Sequence, residues 1–189
     1  MDKTSYDFGQ NYLTDYRRQL FASLLGNMAS RPVHGLEVGC LEGRSLIWCA
    51  ENICRHPGST ILGIDPSRNP ACYARLLANV AQCPMANKIT LRRESSFTAI
   101  PSLDSNHFDF AYIDGDHEGK SVLFDGLAAF DKLKPGGILI FDDYKWTNPI
   151  GWPCSILPKP GIDAFLNVCG PWLELLHKQY QVAIRRKLE

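Results

Sequence analysis

FDFAYIDGDHEGKSVLFDGLAAFDKLKPGGILIFDD, residues 108–143, reads as an apolar strand, a helix and a second apolar strand. FDFAYID (108–114) and GILIFDD (137–143) are short, nearly continuous apolar runs of the kind buried on both faces of a sheet. Residues 118–132 between them carry helical spacing and are long enough for a crossover, so the two strands pack in parallel.

Working outward, VHGLEV (33–38), TILGID (60–65) and KITLRR (88–93) repeat the strand pattern, with helix candidates at 43–55, 70–82 and 96–101 between and after them. Alternation at this spacing predicts an α/β fold, a doubly wound, mostly parallel sheet with helices on both faces. WLELLH (172–177) and YQVAIRR (180–186) are separated only by Lys178 and Gln179, a hairpin connection rather than a crossover. The sheet therefore has seven strands and ends on an antiparallel one. Ahead of it, Leu13, Tyr16, Leu20, Phe21, Leu24, Leu25 and Met28 form a helical stripe that Pro32 ends. Residues 1–32 read as a helical segment or lid, and 33–189 as the sheet-bearing part of a single domain.

The bulk composition narrows the function. A chain of 189 residues buries roughly 70% of the surface its unfolded state exposes, enough for a full core. Lys plus Arg equals Asp plus Glu at 20 each, so no overall field draws nucleic acid or anionic lipid, and a small-molecule partner is expected. No apolar run approaches the 18 or so residues that span a bilayer, and MDKTSYDFGQNYL has no signal-peptide pattern. Seven cysteines (40, 49, 54, 72, 83, 154, 169), an odd count without a C-x-x-C pair, read as buried thiols of a cytoplasmic protein.

Two constellations carry chemistry. LEVGCLEGRS (36–45) follows the first strand and opens a helix: Gly39 permits a tight turn, Gly43 a close approach, and the helix start offers N–H groups to an anion. Leu41 and Arg44 stand where a dinucleotide fingerprint needs glycine. The second constellation is Asp114, His117, Asp142 and Asp143, at the carboxyl ends of neighbouring strands where a parallel sheet opens its ligand crevice. Oxygen donors of this type suit Mg²⁺ or another hard divalent cation. An imidazole titrates near neutrality and suits a proton acceptor. Consecutive strand residues point to opposite faces, so Asp142 and Asp143 share one ion only if the strand ends or kinks between them.

E-x-G-x-x-x-G after strand one, Asp65 closing strand two and LKPGG (133–137) before strand five together resemble the class I S-adenosylmethionine-dependent methyltransferases, over nearly the whole chain. YIDGDH and FDDY are most similar to the small metal-dependent O-methyltransferases of the catechol and macrolide-sugar types. The resemblance implies that Glu37 meets the methionine ammonium, that Gly39, Cys40 and Gly43 line the amino-acid portion, and that Ser45 donates to its carboxylate. Asp65 would take the ribose hydroxyls, and Ser95 and Ser96 would lie beside the adenine. Asp114, with a place in the cofactor site too, would hold the cation with Asp142 and Asp143, and His117 would remove the proton.

The acceptor implied is a hydroxyl of a natural product, sugar or phenol. Tyr144, Trp146 and Trp152, in the proline-rich stretch 144–160, are candidates to wall its pocket, and Tyr6, Phe8 and Tyr12 to fold over the cofactor or meet another subunit. A homo-oligomer whose partner completes the pocket stays open at this point. So do a metal-independent O- or N-methyltransferase and a non-catalytic S-adenosylmethionine-binding module.

Overall fold

The computed structural model describes residues 6–9, 11–149, 151 and 153–188. Its strands are β1 (His34–Val38), β2 (Thr60–Ile64), β3 (Ile89–Arg92), β4 (Phe108–Ile113), β5 (Leu133–Phe141), β6 (Leu173–Lys178) and β7 (Val182–Arg186). The helices are α1 (Asp15–Leu25), α2 (Arg44–Asn52), α3 (Pro70–Gln82), α4 (Ser96–Ala99), α5 (Gly119–Lys132) and α6 (Pro158–Cys169). Among the described residues the strands form one seven-stranded sheet in the order β3-β2-β1-β4-β5-β7-β6. β1 to β5 pair in parallel, and β7 runs antiparallel to both β5 and β6. This is the mostly parallel, doubly wound sheet with an antiparallel end that the sequence predicts. The strand order reverses between β1 and β4, so the ligand crevice opens beyond the carboxyl ends of those two strands.

Side-chain alternation divides the core. Leu36, Val38, Ala111, Ile113, Leu139 and Phe141 face α5 and α6, while Phe110, Tyr112, Ile138 and Ile140 share the opposite layer with Phe21, Leu46 and Cys49 of α1 and α2. Continuing that parity past the strand ends directs Asp114 and Asp142 towards the α1–α2 side. The cysteines are free thiols, five of them buried, as expected of small core hydrophobes.

One element departs from the sequence reading. Residues 158–169, whose opening PKPG reads as the end of a proline-rich loop, form α6 and pack Ile162 and Phe165 into the core. Pro158 stands in the first turn, where a missing backbone N–H leaves no helical bond unmade, and Pro160 falls in that turn as well. Among the described residues no helix is long and apolar enough to cross a membrane.

Candidate active site

β1 ends at the glycine loop. Gly39 has φ +89°, and a Cβ there would overlap the backbone carbonyl of Asp114, so the loop and the end of β4 touch backbone to backbone. Gly43, φ +86°, starts α2. The same strand brings Glu37 inside at 1% exposure; its Oε1 accepts a 2.6 Å bond from the Ser45 hydroxyl, and its Oε2 has no partner among the described residues. Burial pushes this carboxyl up to about 8, and the Ser45 bond pulls only partly against it. A buried carboxylate with one oxygen unsatisfied fits a ligand ammonium, the group the donor's methionine end would offer.

Asp65 closes β2, but its oxygens are occupied. Oδ2 accepts from the backbone N–H groups of Cys40 (2.8 Å) and Leu41 (2.9 Å), and Oδ1 from the N–H (2.6 Å) and hydroxyl (3.2 Å) of Ser67. Four donors use the four lone-pair sites of a carboxylate. In this structure Asp65 anchors the glycine loop, and a ribose would have to displace the Ser67 pair.

Ser95 caps α4, accepting from the Phe97 N–H at 3.4 Å. Ser96 lies beside Asp125 of α5, a residue the sequence reading passes over, and pulls its carboxyl down only in part. Burial raises the Asp125 carboxyl to about 6, and its Oδ1 lacks a partner among the described residues. Because the folded state favours the protonated form, the stability this group contributes is fully present below the unfolded carboxylate pKa of 3.8 and is lost as pH rises towards 6. Asp125→Asn should therefore stabilise the protein by up to about 3 kcal/mol above pH 6 and by almost nothing at pH 4. Denaturant unfolding at the two pH values checks this.

The acid cluster is built where β4 and β5 run out. β5 ends at Phe141, and Asp143 adopts φ +60°, the break that the alternation of side chains demands if both acids face one crevice. His117 Nε2 lies 2.8 Å from Asp143 Oδ2. Ligand atoms of Asp114, His117 and Asp143 lie within 4.8 Å of one another. Asp142 is held differently. Its Oδ2 pairs with Arg17 Nε at 2.7 Å and accepts the Tyr112 hydroxyl at 2.5 Å, and its Oδ1 accepts the Asp143 N–H at 2.8 Å. Tyr112 also reaches Asp114 Oδ2 at 3.0 Å, and the Tyr180 hydroxyl donates to Asp143 Oδ1 at 3.0 Å.

Burial, then the charges of Asp142 and Asp143, raise the Asp114 carboxyl well above its ordinary range. Burial and Asp143 raise Asp142, with Arg17 pulling the other way. Burial disfavours the Arg17 charge, but neighbouring Asp142 outweighs this and holds the guanidinium charged. Three carboxylates around one guanidinium leave an excess of negative charge. Oxygen donors in such a setting fit a hard divalent cation.

Two segments cover the site. The imidazole of His117 lies 4.6 Å, centroid to centroid, from the Trp146 ring, and Ser155 and Ile156 donate backbone N–H bonds to Glu118 at 2.6 and 3.1 Å. The stretch after β5 is thus tied down beside His117, although Trp152 lies outside the described residues. Near the N-terminus, Gly9 N–H donates to Glu42 Oε2 (2.6 Å), Asp7 and Asn79 exchange two hydrogen bonds, and Arg44 stacks over Phe8 at 4.3 Å. Residues 6–9 therefore lie against the glycine loop. Arg17, Tyr112 and Tyr180 are the site residues the sequence reading misses. The signal for Arg17 was present, as a charge four residues before Phe21 on the apolar stripe of α1.

A family model described as a methyltransferase domain matches residues 36–144, from β1 through the acid cluster. An uncharacterized protein of Acanthamoeba polyphaga mimivirus is 30% identical over 128 residues, which are 65% of this chain and 55% of that one. A protein of Arabidopsis thaliana named probable caffeoyl-CoA O-methyltransferase is 26% identical over 146 residues, 75% of this chain and 60% of that one. The chain thus spans little more than half the length of these two relatives. Among solved structures, the O-methyltransferase TomG of Streptomyces achromogenes, involved in tomaymycin synthesis and in complex with S-adenosylmethionine, aligns with a TM-score of 0.75 at 14% identity, covering 97% of this chain and 85% of that one. At that identity the likeness is one of fold.

Proposed function

The chain belongs to the class I S-adenosylmethionine-dependent methyltransferases, and from that premise we propose that it moves the donor's methyl group to a hydroxyl oxygen of a small natural-product, sugar or phenolic acceptor. The observation that carries this reading is the His117–Asp143 pair, 2.8 Å apart, at the strand ends that border the donor crevice. Asp143 accepts from Nε2, which orients the ring and stabilises the charge it gains when Nδ1 takes the acceptor's proton. Glu37 receives the donor's ammonium, the glycine loop fixes its amino-acid end, and residues 6–9 close over that end as a lid. Trp146 and its tethered stretch keep water from the reacting oxygen.

Asp114 and Asp143 are the residues that would hold a divalent cation, leaving His117 to the proton. When bound, such an ion lowers the acceptor hydroxyl's pKa and fixes its orientation. The ion pair between Arg17 and Asp142 favours a second reading, a metal-independent transfer in which Arg17 is the fixed positive charge.

Transfer of a labelled methyl group from S-adenosylmethionine across a panel of hydroxylated acceptors tests the proposal. Turnover that a chelator abolishes, while S-adenosylhomocysteine still raises the melting temperature, is the expected outcome. Turnover indifferent to the chelator selects the metal-independent reading. Donor binding with no methylated product across the panel removes the catalytic one.

A further inference from the structure

α1 reaches the acid cluster by packing. Leu20, Phe21 and Leu25 bury its apolar stripe, and the Phe21 ring meets Tyr112 edge-on at 4.9 Å, the same Tyr112 whose hydroxyl joins Asp114 and Asp142. One turn before Phe21, Arg17 arrives between the two acids, 2.7 Å from Asp142 Oδ2 and 3.4 Å from Asp143 Oδ1. Its guanidinium is fixed at two further points, donating to the Tyr12 carbonyl at 2.5 Å and lying over the Tyr180 ring at 5.4 Å. The Asp142 side chain is 1% exposed and that of Arg17 14%, so the pair is largely withdrawn from water. With Oδ1 bonded to the Asp143 N–H, both oxygens of Asp142 are engaged by the protein itself.

We infer that Arg17 is the resident cation of this site: it holds Asp142 out of the coordination of any divalent ion, and Asp142 becomes a ligand only when Arg17 is removed. The inference goes beyond the proposed function while resting on its cation-binding carboxylates. A guanidinium beside Asp143 repels a second cation through a poorly screened medium, and it withholds a carboxylate that would add negative charge to the coordination. Arg17 is then a positioning residue. It sets how tightly the site takes a metal, and through α1 it makes metal affinity depend on how the N-terminal helix is seated.

The test needs neither donor nor acceptor. Mn²⁺ binding to the full chain is followed by loss of the free-ion electron paramagnetic resonance signal, for wild type, Arg17→Gln, Arg17→Met and the double variant Arg17→Gln/Asp142→Asn. Arg17→Met keeps an unbranched apolar stem on the buried stripe, so the question stays answerable if the glutamine variant does not fold. Removing Arg17 should tighten Mn²⁺ binding at least about tenfold, and adding Asp142→Asn should remove most of that gain, leaving only the part due to relieved repulsion. A lost structural contact would not raise an affinity. If the single variants bind Mn²⁺ no tighter than a wild type that does bind it, the role of Arg17 is wrong and the cation reading stands. If the whole gain survives Asp142→Asn, Asp142 is not recruited and the inference falls. If no form binds Mn²⁺, the inference and the cation reading fail together, while S-adenosylhomocysteine binding still tests the methyltransferase reading separately.

Discussion

Replacing Glu37 by glutamine is expected to stabilise the protein and weaken its hold on the methyl donor in one step. The carboxyl is at 1% exposure with one unpartnered oxygen, and burial pushes it up to about 8 against an ordinary 4.5. A raised folded-state value means that the stability this one group contributes is complete below pH 4.5, drains away as pH climbs and is gone above about 8. Glutamine has nearly the same shape, keeps an acceptor for the Ser45 hydroxyl and carries no charge to desolvate. At pH 7 the variant should therefore gain roughly 3 kcal/mol, or about 5–10 °C in melting temperature for a domain of this size.

The functional cost has the opposite sign. A donor ammonium bonded to a buried carboxylate is a charge-assisted contact, and losing the charge should weaken S-adenosylhomocysteine binding about a hundredfold. In the wild type the ionised fraction of Glu37 rises with pH, so donor affinity should improve by up to about tenfold per unit between pH 6 and 8 and then level off. The variant should show no such slope over this range. Calorimetric titration at pH 6.5, 7.5 and 8.5 with melting curves of both forms decides it. A variant that is less stable would mean that Glu37 imposes no cost on the unliganded fold, and a wild type with pH-independent affinity would remove Glu37 from the donor site. The destabilisation that Glu37 imposes on the unliganded fold would then be unconnected with ligand binding.

How far a residue was legible in the chain depended on how locally its setting is written. Apolar runs bounded by turn residues fixed the strands to within a few positions, because a strand buried on both faces leaves little room for a polar residue. Gly39 and Gly43 were legible for a similar reason: their positive φ angles need no distant partner to be guessed. The strand end before Asp143 followed from side-chain alternation alone, and the structure supplies it as a left-handed residue. α6 was not legible, since a proline carries the same local signal in a first helical turn as in a loop, and only packing against α5 tells them apart. Asp65 reads as a ligand residue, and its two bonds to the glycine loop depend on contacts 25 and 24 residues away that no spacing reveals. The partners of Asp142 come from α1 and β4, 125 and 30 positions distant, so the cluster could be placed in sequence but its internal pairing could not.

The second large effect is expected at His117. Its replacement by alanine should lower kcat by roughly 10²- to 10⁴-fold, the usual worth of a positioned proton acceptor, while the donor's dissociation constant stays within about twofold. The split matters because His117 stands at the start of α5 and touches Trp146 as well as Asp143, so a purely structural loss would disturb the covering segment and acceptor binding together. A base acts on the chemical step alone. Lysine at the same position offers a sharper control: it restores a proton acceptor of higher intrinsic basicity, so part of the activity should return with the rate profile moved towards alkaline pH. Asparagine resembles the imidazole in size and hydrogen bonding but takes no proton at these pH values, and should not rescue. Steady-state rates for the three variants between pH 6 and 10, each with its acceptor KM, test the assignment. Rescue by asparagine as well as lysine would mean that the ring only orders the pocket, and the proton would then have to leave through Asp114 or directly to water.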